Sequence, residues 1–334
     1  MKRLTPLCLL LAGCILDRDI GRNDGAEDPS EGFTILVQGE KGAIDLVSDE
    51  ESLYWLTTNG TVDRSVLYRV SKDGGAADEL ARFGKIAHSL RLDDEFVYAT
   101  IFRPSSPEGE GEIARVAKRG GPVELIADAL GSAFLVAVDE THAYFAFLEG
   151  TDRHAIARVP KGGGAPEVLV HDADPLTQLA VDQTHLYYTQ GDAGLVMRVA
   201  KAGGTPEQLA ADLPGVGHLV LDDANLYFTS CRADGCGNYS QVNTISKDAG
   251  THTVLAALGW GNGEISVAAG YVFVAGAFSG TVVAVPTAGG SPETILLDRP
   301  RPMAVTSDAD AQRVFWVDFD NGDVGRIDFM VAEP

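Results

Sequence analysis

From residue 33 onward the chain consists of short runs in which apolar and polar residues alternate, separated by clusters of glycine, aspartate and asparagine. Alternation with period two puts successive side chains on opposite faces of an extended backbone, so each run reads as a β-strand. No stretch sustains the 3.6-residue apolar period of an amphipathic helix. The segment LYYTQGDAGLVMRVAKAGG, residues 186–204, shows the basic unit: a strand, a tight turn, a second strand, and a turn closed by two glycines.

That unit recurs. An apolar–aromatic pair stands at Leu53-Tyr54, Val97-Tyr98, Ala143-Tyr144, Leu186-Tyr187, Leu226-Tyr227, Val272-Phe273 and Val314-Phe315, with successive aromatics 40 to 46 residues apart. Downstream of these come Arg69-Val70, Arg115-Val116, Arg158-Val159, Arg198-Val199, Thr244-Ile245, Ala284-Val285 and Arg326-Ile327. All but the last are followed by a glycine turn: KDGG, KRGG, KGGG, KAGG, KDAG and TAGG. A third landmark lies five residues before each aromatic, at Asp49, Asp93, Asp139, Asp182, Asp222, Ala268 and Asp310.

Each copy holds four short runs, as HLVLD, NLYFTS, QVNTISK and HTVLAA do in the fifth. A four-stranded unit of about 40 to 45 residues buries its faces only against neighbouring units, and its repetition predicts a β-propeller. The fold class expected is therefore all-β, a seven-bladed propeller of four-stranded antiparallel blades. The seventh copy lacks an outermost strand, while FTILVQ (33–38) precedes the first copy without a partner and matches the outer strands PVELIA and ETILLD. This N-terminal strand is expected to complete the last blade and leave no open sheet edge at the seam.

The run LAVDQTHLYYTQGDAGLVMRVAKAGGTPEQL resembles the YWTD class of propeller repeats found in lipoprotein-receptor ectodomains, and more broadly NHL-type and bacterial lyase-like propellers. The likeness extends over residues 33–329. The YWTD family forms six blades against the seven copies counted here, and the aspartate that ends its motif is present only at Asp318, in FWVD. The resemblance implies blade architecture and carries over no functional residue.

Charge and the N-terminus add a cellular address. The 334 residues carry a net charge of −22, with acids spread along the whole chain, a field that repels phosphate backbones and makes nucleic acid an excluded partner. Residues 1–14, MKRLTPLCLLLAGC, join a short basic region to an apolar run too short to span a bilayer. Leu11-Ala12-Gly13-Cys14 resembles the bacterial lipobox, which implies cleavage of a 1–13 signal peptide and lipidation of Cys14; an ordinary secretory signal cut elsewhere is the alternative. Ile15 follows the cysteine where an inner-membrane retention signal has aspartate, so an outer-membrane anchor is expected, facing periplasm or cell surface. Residues 14–32 are acidic and poor in apolar residues, the composition of a tether, and 33–334 form the propeller. A monomer touching the membrane only through its lipid is the expectation.

Candidate chemistry concentrates at the wheel's axis. The repeated aspartates lie in turns, where a carboxylate accepts backbone N–H bonds, in preference to a seven-fold calcium array with one carboxylate per site. Four positions before each, near the start of the innermost strand, stand Asp45, Ser89, Leu135, Gln178, His218, Glu264 and Ala304, with His88 adjacent. These would converge on the axial mouth. Asp45, His218 and Glu264 are the candidates there for holding a divalent cation such as calcium, or for supplying a general base, against a water-filled polar mouth as the alternative.

Other motifs carry less. Cys231 and Cys236, in an enlarged loop of the fifth copy, are expected to form a disulfide beyond the inner membrane. DFDNGD (318–323) reads as a type I′ hairpin at Asn321-Gly322, since the closing glutamate of a calcium loop is missing. GWGNG (259–263) has no helix to make a dinucleotide site, and Trp260 is either a partner-binding aromatic or a packed anchor. No nucleophile elbow is present, and no catalytic residue is assigned. The functional expectation is a non-catalytic module that binds an envelope protein or glycan through loops such as 100–112 and 229–241. A metal-dependent lyase or lactone hydrolase at the axial mouth is the alternative.

Overall fold

The computed structural model describes residues 32–58, 65–102, 111–149, 153–172, 174–232, 235–248, 250–259, 263–310 and 312–329. The leader, Cys14 and the tether fall outside them, as do Trp260 and residues 103–110 and 233–234. The described residues form seven four-stranded sheets. In blade one the strands run outward in chain order: Ala43–Ser48, Ser52–Thr57, Ser65–Ser71 and Asp78–Phe83. Later blades start from inner strands Ile86–Leu92, Ala133–Val138, Leu176–Val181, Leu219–Leu221, Ile265–Ala268 and Pro302–Ser307. Among the described residues no helix is long and apolar enough to cross a membrane.

The seam closes as the alternation predicts. Phe33–Val37 lies antiparallel on Val324–Asp328, with Phe33 opposite Ile327 and Ile35 opposite Gly325, and so supplies the outer strand of blade seven. Phe33 meets Trp316 edge-on at 5.5 Å. Trp316 in turn requires the absence of a side chain at Gly325, where a Cβ would lie 2.1 Å from the indole ring.

Apolar faces are buried between blades. Tyr54, Leu56 and Leu67 of blade one pack with Leu90, Val97 and Ala99 of blade two, and Trp55 and Val70 pack with Phe315 and Val317 across the seam. The glycine pairs that end the repeat are explained by backbone geometry. Gly74 and Gly75 have φ of 90° and 125°, and Gly203 and Gly204 of 83° and 132°, a region that L side chains rarely adopt.

The charged landmarks form one clamp repeated between blades. Asp93 Oδ1 accepts the N–H groups of Glu95 (2.9 Å) and Phe96 (2.8 Å), and Oδ2 accepts the Tyr98 hydroxyl at 2.8 Å. Lys161, from the glycine turn of blade three, pairs with Asp93 at 2.5 Å and sits over the Tyr98 ring. Burial alone would raise the Asp93 pKa, but the lysine and the donated hydrogen bonds hold it at about 2. Lys118–Asp49, Lys201–Asp139, Lys247–Asp182 and, across the seam, Lys72–Asp308 repeat the pairing. Arg69, Arg115, Arg158 and Arg198 each donate to the carbonyl of the next blade's clamp lysine.

Two junctions differ. Asp222 keeps its turn bonds and its tyrosine, but Thr287 stands where the lysine would be. Between blades six and seven the aspartate position is Ala268 and the lysine position is Phe329, which packs edge-on against Tyr271 (5.2 Å) and Phe273 (5.5 Å). An apolar contact replaces the ion pair there.

Two expectations are corrected. The blade-seven aspartate of the clamp is Asp308, not Asp310: the turn runs to Arg313, whose carbonyl accepts from Asp308 N–H, and this longer turn moves the carboxylate back from the aromatic. Asp310 accepts the Gln312 N–H. Asn321-Gly322 is likewise part of a wider turn than a type I′ hairpin. Gly322 N–H bonds to Asp318 C=O at 3.1 Å, enclosing residues 319–322, and Gly322 alone of the two has positive φ, 74°.

Candidate functional site

The inner strands bring their first residues to the channel through a shared distortion. In blades one, three, four and seven the pairing with the second strand skips one residue, Ile44, Phe134, Thr177 or Met303, directly before the predicted ring position. Such a bulge re-aims the side chain that follows it. The resulting axial cavity encloses about 360 Å³. Asp45, Gln178, His218 and Glu264 line it, as the repeat register predicts, while Leu135 and Ala304 do not.

Ser89 is turned away. In blade two the skip comes later, between His88 and Arg91, and Ser89 takes φ 54° with its Oγ accepting the Val136 N–H at 3.0 Å. His88 stacks on Phe102 at 5.2 Å, and desolvation pushes its pKa down to about 4, so the ring is neutral at pH 7. The residue that blade two contributes to the cavity is Arg91, which sequence reasoning missed. Its signal was available: two positions past the ring, the same face of the other inner strands carries Val47, Ala137, Ala180, Val220, Ser266 and Thr306, and only blade two carries a charge.

Asp45 and Glu264 form the electrostatic centre. Asp45 is 4% exposed, and its Oδ2 accepts the Leu90 N–H at 2.6 Å. No N–H or hydroxyl donor among the described residues reaches its Oδ1. The Glu264 carboxyl shares a hydrogen bond with Asp45, and its pKa is raised well above the usual carboxylate range, first by burial and then by the Asp45 charge. Burial raises the Asp45 pKa too, against the attraction of Arg91 and the N–H groups of Leu90 and Leu46. The Asp45 charge thus disfavours the ionised form of Glu264, and the Arg91 guanidinium works against the upward shift at both. Arg91 is oriented by its own donation to Leu90 C=O at 2.6 Å, and Glu264 by its N–H bond to Met303 C=O at 3.0 Å.

Asp45, His218 and Glu264 line one cavity, but among the described residues no three His, Cys, Asp or Glu side chains gather with metal-holding geometry. No chemistry is derived through a divalent ion. Asp318 is fully buried and belongs to a structural cluster, accepting Arg299 Nε at 2.7 Å with Asp323 on the same guanidinium at 2.5 Å. Cys231 is buried, and the pairing expected with Cys236 falls on a side chain outside the described residues.

No protein-family model matches the chain. No curated protein matches it in sequence. Solved structures do. The chain is similar to a streptogramin B lyase, with a TM-score of 0.68 at 11% identity over 90% of this chain and 99% of that one. It is similar to the β-propeller domain of Cps50 (Swd1) from Myceliophteria thermophila, with a TM-score of 0.67 at 10% identity over 90% and 99%. An oligogalacturonate lyase solved in complex with manganese gives 0.65 at 10% identity over 84% and 86%. At these identities the likeness shows the propeller fold alone, shared by enzymes and non-enzymes.

Proposed function

We propose that this protein is a non-catalytic binding module of the bacterial envelope, held at the outer membrane by a lipid on Cys14 and presenting its axial mouth to a protein or glycan partner. One observation carries the reading. The residues that recur, aspartate, tyrosine, lysine and arginine, hold blade to blade on one face, whereas the polar residues that differ between blades, Asp45, Arg91, Gln178, His218 and Glu264, converge on the channel. A rigid wheel with a variable centre is the arrangement of a scaffold that displays one specific site. The test compares the full-length protein with an Asp45→Asn/Arg91→Gln/Glu264→Gln variant as immobilised bait for envelope extract and glycan arrays. A ligand held by the native protein and released by the variant supports the reading, and equal retention by both overturns the axial assignment.

The rival, a lyase or lactone hydrolase, draws on a single feature: burial and the Asp45 charge raise the Glu264 pKa well above the usual carboxylate range, the direction a general acid needs. Turnover of lactone or uronide substrates that is abolished by Glu264→Gln, with binding retained, would favour it.

A further inference from the structure

The binding reading above leaves the ligand's chemistry open, and the charge balance of the cavity narrows it. Asp45 and Glu264 offer two carboxyls, and Arg91 is the positive side chain on the same wall. With both acids ionised, the three groups carry one surplus negative charge. A single positive charge restores neutrality, whereas a divalent ion would overshoot. Buried charge is tolerated only when so balanced. Asp45 is nearly fully buried, and its Oδ1, without an N–H or hydroxyl donor, is an acceptor already desolvated and in place.

The shape of the cavity says what kind of cation. At about 360 Å³ it is the size of an organic ligand's site, far larger than a bare ion needs. Beyond the carboxyls its wall mixes aliphatic residues, Ala137, Ala180, Leu219 and Val220, with the polar side chains of Gln178, His218, Ser266 and Thr306. A charged head on a methylene stem matches this sequence of surfaces, since the stem lies along apolar side chains while the ammonium donates three hydrogen bonds to the acids. The net charge of −22 would draw such a ligand toward the protein.

We infer that the axial channel is a receptor site for a primary alkylammonium group, which the Asp45 and Glu264 carboxylates clasp while Arg91 sets the acceptable charge at one. Without ligand, burial raises the pKa of both carboxyls, the direction in which a proton would take the place of that charge. The inference rests on the binding reading, and it covers an ammonium borne by a free amine or by a lysine side chain of a partner.

Calorimetric titration and thermal shift at constant ionic strength test it with n-butylamine, cadaverine and Nα-acetyl-lysine amide, against n-butanol, KCl and CaCl₂. The expected result is saturable binding of the amines, with no response to butanol or to either salt. Glu264→Gln keeps a donor toward Asp45, so it preserves the apo contact, and it should weaken amine binding about tenfold or more. Arg91→Gln should strengthen binding and admit calcium. Nα-acetyl-lysine amide binding alone points to a protein lysine as the source, and binding of all three amines points to a free amine. Calcium or potassium binding in place of the amines, no amine binding at all, or amine binding unchanged in Glu264→Gln overturns the inference. If amines fail while the triple variant still loses an envelope ligand, the ammonium inference falls and the binding reading stands.

Discussion

Replacing Asp93 with asparagine keeps the shape of the side chain at the junction of blades two and three and removes its charge. The carboxylate there accepts two backbone N–H groups and a tyrosine hydroxyl and pairs with Lys161. Its pKa falls from 3.8 to about 2, which at about 1.4 kcal/mol per unit corresponds to roughly 2.5 kcal/mol of linkage to folding. Solvent around the pair screens this to about 1 kcal/mol. Because the folded-state pKa is depressed, this stability is complete above the unfolded value near 4 and is lost as the pH falls through about 2. Asp93→Asn should therefore melt about 2 °C below the native protein at pH 7, and the two should converge between pH 4 and pH 2. Asp222→Asn supplies the control. Asp222 has the same turn bonds and the same tyrosine bond, but threonine in place of the lysine. Its loss should be smaller, and a Lys161→Met cycle should show coupling with Asp93. Equal losses at 93 and 222 across the pH range, with no coupling to Lys161, would refute the view that the lysine clamp ties blade to blade.

Deletion of residues 33–37 strips the outer strand from blade seven, and calorimetry should then show unfolding split into more than one transition; a single unchanged transition would contradict the seam. Gly325→Ala drives a methyl into the buried Trp316 ring and should cost roughly 3 kcal/mol in urea unfolding. Phe329→Ala opens the aromatic contact between blades six and seven and should cost about 3 kcal/mol. The paired change Ala268→Asp with Phe329→Lys rebuilds the ion-pair clamp there and should recover part of that loss, which neither single change does.

The fold was legible because each of its determinants is local and repeated. Period-two alternation marks the strands, glycine pairs mark positive φ, and an aspartate five residues before a tyrosine marks a turn in which one side chain satisfies two N–H groups and a hydroxyl. The clamp was visible only by half. The lysine of KxGG reads as turn polarity, since its partner is the aspartate of the preceding blade, 62 to 69 residues away in the four regular junctions. Asp308 was missed for a related reason: counting back from the aromatic assumes a turn of constant length, and the blade-seven turn is longer.

The candidate site shows where repeat logic runs out. Counting along the inner strand finds Asp45 and Gln178 because a skipped residue precedes the ring position in blades one and four, and finds His218 and Glu264 because each directly precedes its inner strand. In blade two the skip slides past Ser89, and the side chain presented to the axis changes from a hydroxyl to the Arg91 guanidinium. That slide changes the electrostatics of the whole cavity. Burial drives two neighbouring carboxyls toward the neutral form, and a guanidinium beside them lowers the pKa of both against that drive. A bulge in a single strand, invisible in composition and displaced from its counterparts, thus decides whether the two axial carboxyls stand alone or beside a guanidinium.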